Sequence, residues 1–455
     1  HQLIMYHSRN IDLHLLAWSE RGGRKPLLLR GARQVGKSTA VRHLGEHFDS
    51  YVEVNFERNP EYKALFSTNL DVRRIVSQMS VMCGTPITAG KTLLFLDEIQ
   101  ECQEAIMSLR FFCEDMPQLH VRAAGALWDF SLNELATFGV GRIHSLYMHP
   151  MTFDEFLVAC NQPLLLNAVR SASAQTPLAE PIYNKVVDMF RTYIIVGGMP
   201  EAVASWAEHN DFIRCQEIQD DILTGYEDDF PKYRKRVSPE IMRDTLRSVA
   251  TQATRNFGFA EVGTGHKAAE VQRALAMLCK AGLVIPVTHT AANGLPLGSE
   301  ADTSVRKLLL LDTGLHLRML NMTLGSVRDI TTHILTASVA DLVNKGTMAE
   351  MVAGLEMVRN QSPNLRNDLY YWVRQAKNAQ AEIDYITAHD GRVMPIEVKA
   401  DRQGGMKSLW QFMREKHLTQ AIRCSLENFS AYDYADPDGT TRHITIIPLY
   451  ALSQM

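Results

Sequence analysis

The chain has 455 residues, 46% hydrophobic and 22% charged, with 47 Lys and Arg against 51 Asp and Glu and a formal net charge of −4. That length leaves room for roughly three domains, each with its own core. No apolar run reaches the roughly 18 residues of a membrane span, and the negative balance excludes a protein that coats nucleic acid by charge alone, so any such contact needs a local patch.

Seven cysteines stand singly, at 83, 102, 113, 160, 215, 279 and 424. Without a C-x-x-C pair they give no sign of zinc or redox work, and they suit a reducing cytoplasm. The opening His1 to Tyr6 lacks the charged-then-apolar layout of a signal peptide, so the expected location is cytoplasmic, with no membrane partner. A chain that starts at His1 is expected to lack its native N-terminus.

Ile11, Leu13, Leu15, Leu16 and Trp18 recur at helical spacing and predict a helix over residues 8–20. Then Leu27-Leu28-Leu29-Arg30 feeds Gly31-Ala32-Arg33-Gln34-Val35-Gly36-Lys37-Ser38-Thr39, which fits G-x-x-x-x-G-K-[ST] at every constrained position. Its glycines let backbone N–H groups converge on anionic oxygens, and a helix starting at Lys37 points its positive end at them. Lys37 is expected to reach the outer phosphates of ATP, with the Ser38 hydroxyl on a Mg²⁺ ion.

Tyr51 to Phe56 alternates as a second strand, and a helical stretch near Asp71 to Met82 precedes Thr92-Leu93-Leu94-Phe95-Leu96-Asp97-Glu98. Four apolar residues followed by two acids describe a strand buried on both faces, neighbouring the phosphate loop and ending at the sheet's catalytic edge. Asp97 is expected to hold Mg²⁺ through water, and Glu98 to polarise the attacking water. A helix through Leu109 to Cys113, a strand over Leu119 to Ala126 and a last strand over Arg142 to Met148 complete an alternation that implies a parallel sheet.

Pro150 to Leu157 opens a helical extension, followed by helices that reach the turn Gly197-Gly198-Met199-Pro200-Glu201. The run Lys232-Tyr233-Arg234-Lys235-Arg236 marks a boundary and reads as a solvated face sooner than a binding patch. Three short helices follow, the third over Lys267 to Lys280, then strands over Leu283 to Thr288 and Val305 to Leu311. This is the layout of a winged helix-turn-helix, whose third helix either enters a major groove or only packs.

Near the C-terminus, Ala381 to Thr387 and Val393 to Lys399 flank Asp390-Gly391, the strongest short hairpin signal. If those two form the turn, His389 faces Arg392 and Asp384 falls opposite Glu397. Such a like-charge pair is destabilising in a plain sheet, and a shared Mg²⁺ is a natural reason for it. Lys399 lies on the same face. Pro395 demands an edge or a free hydrogen-bonding slot.

These stretches, with Leu311-Asp312-Thr313-Gly314-Leu315 and Ile396-Glu397-Val398-Lys399, resemble bacterial and archaeal AAA-type ATPases whose C-terminal half joins a winged helix to a restriction-endonuclease-like fold. The resemblance implies an α/β P-loop NTPase core (1–160), a helical lid and connector (161–236), a winged helix-turn-helix (237–325) and a restriction-endonuclease-like α/β domain (326–455). It also matches Asp384, Glu397 and Lys399 to a nuclease motif and Glu350, on a helical stretch from Gly346 to Val358, to the extra acid those enzymes often carry. Where the family has Gly-Ser after the third apolar strand, this chain has Gly125-Ala126, so hydrolysis is expected to be slow. Arg142 is one candidate arginine finger among many. The expected function is an ATP-dependent switch or motor acting on nucleic acid, DNA being the candidate partner. The alternative is a signalling or scaffold ATPase that binds a protein partner or itself and cuts nothing.

Overall fold

The computed structural model describes residues 6–126, 141–263, 265–320, 345–365, 368–374, 381–400 and 405–455. The chain divides into two compact units. The first runs to Pro150 and takes in the short segments Lys280–Gly282 and Ser362–Arg366; the second holds Met151–Cys279, Leu283–Gln361 and Asn367–Met455.

In the first unit β1 (Leu27–Gly31), β2 (Ser50–Asn55), β3 (Thr92–Asp97), β4 (His120–Ala126) and β5 (His144–Tyr147) make one wholly parallel sheet in the order β2-β3-β4-β1-β5. Every residue of β3 is buried, as in a strand covered on both faces. The acid-tipped strand is not the direct neighbour of the loop strand, as the sequence suggests. β4 lies between them, its Val121, Ala123 and Ala124 fully buried and able to fill a slot with no solvent face.

Helix Val72–Cys83 shows how the helices are set. The Asp71 carboxylate accepts from the N–H groups of Arg73 and Arg74 at its start, and Gly84, with φ of 68°, ends it, a cap worth about 1 kcal/mol. Its Val72, Ile75, Val76 and Met79 lie at helical spacing and pack with Val54, Phe66 and Leu94 in one core.

The second unit opens with helices Phe153–Ala159, Pro163–Ser171, Glu180–Val196, Pro200–His209 and Phe212–Asp229, followed by Pro239–Thr251 and Ala268–Lys280. The expected helix between those last two is a 3₁₀ turn, Phe259–Glu261. β6 (Val284–Thr290) and β7 (Ala301–Leu310) form the expected hairpin, and helix Lys345–Asn360 precedes β8 (Leu369–Val373), β9 (Glu382–His389) and β10 (Arg392–Val398). Helix Lys407–Glu415 then leads to β11 (Gln420–Ser425), β12 (Ser430–Ala435) and β13 (Thr441–Pro448).

These strands make one eight-stranded sheet, β12-β13-β11-β10-β9-β8-β6-β7. The hairpin that the sequence assigns to one domain and the strands it assigns to the next share that sheet. β6 pairs with β8 from Val287–Leu369 to His289–Tyr371, which satisfies backbone groups that an isolated hairpin leaves open at its edge. The β9–β10 ladder has the register expected from the turn, His389 facing Arg392 and Tyr385 facing Ile396. Pro395 sits inside the sheet, not at its edge. The parallel ladder to β11 begins only at Ile396, so the missing N–H of Pro395 falls in a free slot.

Three stretches that carry no chemistry in the sequence meet in the second unit as a buried polar knot. Thr152 and Glu155 form a capping box at helix Phe153–Ala159, and the Phe153 N–H donates to Glu356 at 3.2 Å. The Tyr193 hydroxyl donates to Glu356 Oε1 at 2.6 Å. The Gly198 N–H donates to Asp312 Oδ1 at 2.7 Å, and Arg359 donates to the same oxygen at 3.2 Å and to the Leu311 carbonyl at 2.7 Å. Gly197 has φ of 74°, and a Cβ there would lie 2.1 Å from Asp312 Oδ2. Such a knot fixes one arrangement because each buried polar group left unpaired costs more than a made bond returns.

Candidate functional site

The loop between β1 and helix Lys37–Gly45 has the shape its sequence calls for. Gln34 and Gly36 have φ of 65° and 95°, the left-handed conformation that turns successive N–H groups into an anion-binding concavity. Gly31 is required sterically, since a Cβ there would lie 2.3 Å from the Met148 carbonyl oxygen. Ala32, Arg33, Val35, Ser38 and Thr39 occupy the loop and first helical turn around them. Lys37 Nζ donates to the carbonyls of Gly31 at 3.1 Å and Ala32 at 2.6 Å. Burial pulls its amine down to about 8, with Glu98 and Asp97 opposing that shift.

The acid end of β3 meets this loop although β4 intervenes. The Ser38 hydroxyl donates to Asp97 Oδ2 at 2.9 Å, Asn55 Nδ2 donates to the same oxygen at 3.3 Å, and the Glu98 N–H donates to Asp97 Oδ1 at 3.0 Å. Asp97 is buried, and burial raises its carboxyl above the usual range while the Ser38 bond holds it down. A hydroxyl and a carboxylate side by side are the hard oxygen donors that Mg²⁺ takes, so these residues fit the ion. Glu98 has φ of 47° and accepts from Gln100 Nε2. That left-handed backbone sets its carboxylate one residue beyond Asp97.

Position 126 ends β4 opposite Gly31 of β1, at the same edge as the phosphate loop; its side chain lies outside the described residues. Arg142, the candidate finger, is exposed and paired with Glu114. Two contributors escape the sequence. Arg9 donates to the Val35 carbonyl of the loop at 3.0 Å and to the His149 carbonyl at 2.7 Å, and Asn55 closes β2 beside Asp97. Neither belongs to a motif; only the end of β2, aligned with the end of β3, hinted at Asn55.

In the second unit Asp384 stands between the other nuclease-type residues, with Glu350 on one side and Glu397 and Lys399 on the other, its charge acting on both acids. Glu350 and Asp384 converge with Glu382, each offering a carboxylate oxygen within 4.8 Å of the others. Lys307 lies among them, its Nζ 2.7 Å from Glu350 Oε1 and bonded to Glu382 as well. Glu397 is paired with Lys399 at 2.5 Å. Asp384 Oδ2 accepts the Val398 N–H at 2.8 Å. Burial, then the charge of Asp384, raises Glu350 and Glu397 above the usual carboxylate range. Burial lowers the Lys307 amine, but the three acids more than offset it and hold it above the ordinary lysine value. Glu382 shares a face with Asp384 by strand alternation, whereas nothing in the sequence points to Lys307. A separate cavity of about 600 Å³, lined by Leu297, Met357, Tyr370 and Thr387, includes none of the expected site residues.

Residues 23–157 match the family model of an AAA domain. Residues 187–325 and 345–452 match models of two domains of unknown function, DUF8612 and DUF4143. No curated protein matches the chain in sequence. Among solved structures, a Walker-type ATPase of Pyrococcus abyssi is 15% identical over 69% of this chain and 96% of its own, with a TM-score of 0.43. PCH-2 of C. elegans is 9% identical over 47% of this chain and 68% of its own, at 0.29, and a Vibrio cholerae protein is 9% identical over 94% and 95%, at 0.17.

The phosphate loop, the acid-tipped strand behind an inserted one and the matched family model define residues 23–157 as a P-loop domain of the AAA type. Among the described residues no helix is long and apolar enough to cross a membrane.

Proposed function

We propose that the chain binds and hydrolyses ATP as an AAA-type switch whose second unit carries the partner-binding surface. The observation that supports this most is the Ser38–Asp97 bond of 2.9 Å, which joins the phosphate loop to the acid strand although the two are far apart in sequence. Lys37 exchanges the carbonyls of Gly31 and Ala32 for the outer phosphate oxygens. Its buried ammonium acts there against little solvent screening. Ser38 and Asp97 would hold Mg²⁺, which neutralises phosphate charge when bound, and Glu98 takes the proton of the attacking water.

Lys37→Ala is expected to weaken ATP binding at least roughly tenfold, whereas Glu98→Gln keeps binding and slows hydrolysis roughly a hundredfold. Nucleotide titration and phosphate release separate the two phenotypes. A Glu98→Gln protein that hydrolyses at the parent rate would remove Glu98 from the mechanism.

The partner we propose is nucleic acid. Arg234, Lys235 and Arg236 are exposed beyond the 3₁₀ turn Phe230–Tyr233, and helix Ala268–Lys280 buries Val271, Ala274, Leu275 and Leu278 while exposing Gln272 and Arg273. With the β6–β7 hairpin this supports the winged-helix reading, and the β9–β10 hairpin carrying Asp384 supports the restriction-endonuclease-like one. Binding of a DNA duplex should weaken by about one unit of log slope per phosphate contacted as salt rises. Binding that is absent at low salt would favour the alternative, a scaffold for a protein partner.

A further inference from the structure

We infer that Lys307 is a built-in cation: its ammonium holds the place among Glu350, Glu382 and Asp384 that a divalent metal would otherwise take, and the second unit works without a metal ion there. This does not rest on the nucleotide reading of the first unit.

The three carboxylates lie close enough to repel one another strongly, and strand alternation alone puts Glu382 and Asp384 on one face of β9. Lys307 answers that repulsion from β7, three strands along the same sheet. Its side chain is 1% exposed. The ammonium touches Glu350 and Glu382 and lies 4.9 Å from the centre of the Tyr371 ring, so carboxylates and an aromatic face surround it. A surface lysine could swing into solvent to admit a metal, but this one is covered and held between Glu350, the Tyr371 ring and the solvent-facing Glu382.

A divalent ion bound to the same oxygens would sit within a few ångströms of the covered ammonium, two like charges side by side. It would also have to draw on Asp384, one of whose oxygens already accepts the Val398 N–H. The neighbouring acid also has a lysine, Glu397 Oε1 with Lys399 at 2.5 Å, while its Oε2 is buried without a hydrogen-bond partner among the described residues. A lysine is chemically suited to this substitution, being a compact point charge with three donors. It supplies charge and hydrogen bonds but cannot carry an activated water, so the arrangement keeps the acids in place without giving them metal-dependent phosphodiester chemistry.

The test is titration of the nucleotide-free full-length protein with Mn²⁺, followed by the paramagnetic signal of the free ion. The parent protein and Asp384→Asn are expected to bind Mn²⁺ alike. Lys307→Ala is expected to gain one site per chain, and the double substitution Lys307→Ala with Asp384→Asn to lose it again; Mn²⁺ should raise the Tm of Lys307→Ala by several degrees more than that of the parent. Any Mn²⁺ held by the phosphate loop is common to all four proteins and cancels. A parent site that Asp384→Asn removes overturns the inference, and that comparison decides it even if Lys307→Ala does not fold. A folded Lys307→Ala that gains no site overturns it as well.

Discussion

At the scale of single residues, the first unit depends on where one hydroxyl stands and one is missing. Ser38 reaches Asp97, but position 126, aligned with Gly31 at the sheet's edge, has a methyl where the resembling family has a hydroxyl. A donor aimed at developing charge acts chiefly in the transition state. Ala126→Ser should therefore raise the rate of ATP hydrolysis, roughly tenfold, with little change in nucleotide affinity; an unchanged single-turnover rate would make the position structural. In the second unit Gly197 is held between a positive φ and the Asp312 carboxylate. Gly197→Ala should cost at least about 2 kcal/mol in urea unfolding, because the new Cβ must displace the acid that Gly198 and Arg359 use.

The elements pass these constraints on. Helix Thr313–Met319 is capped by Asp312, which accepts from the Leu315 N–H, and the same acid anchors Gly198 and Arg359. One side chain thus ends a loop, starts a helix and pairs a buried arginine. His316 on that helix is buried, and burial pulls it down to about 4 from 6.5. The folded state refuses a proton that the unfolded chain accepts below 6.5, so the stability tied to His316 is full above 6.5 and is lost as pH falls toward about 4. The loss approaches about 3 kcal/mol at the low end. Glu356, buried in the same unit, is raised to about 7 by burial, and its contribution runs the other way, being lost as pH rises through that value. Unfolding of the parent and of His316→Leu compared across this range isolates the histidine. The difference between them should grow as pH falls, and a constant difference would show that His316 takes up its proton as readily in the fold as in the unfolded chain.

For the whole molecule the two compact units make separate predictions. A nucleotide binds native structure and not the unfolded chain, so a non-hydrolysable ATP analogue at a hundred times its Kd should stabilise the unit that holds the phosphate loop by about 2.7 kcal/mol. Urea unfolding should then show one transition that moves with nucleotide and one that does not. In the Lys37→Ala protein the same nucleotide concentration should move that transition less, by at most about 1.4 kcal/mol for a tenfold weaker Kd. A single transition that shifts as a whole would show the units to be energetically coupled.

The sequence by itself determined whatever depends on local spacing. The glycines and lysine of residues 31–38 fix the loop, four apolar residues and two acids fix the end of β3, and Asp390-Gly391 fixes the β9–β10 register, Tyr385 facing Ile396. Each is a contract between near neighbours, with a period of two, of 3.6, or a turn of known length. Tertiary structure alone decided the rest. The insertion of β4 between β1 and β3 is a choice among strand orders that alternation leaves open. The joining of β6 to β8 brings Lys307, 43 residues from Glu350 and 75 from Glu382, into the acidic cluster. Arg9 reaches Val35 and His149 in the same way, across 26 and 140 residues. A charge that arrives from a distant strand leaves no periodic trace, because what selects it is the charge of its partners and not the residues beside it in the chain.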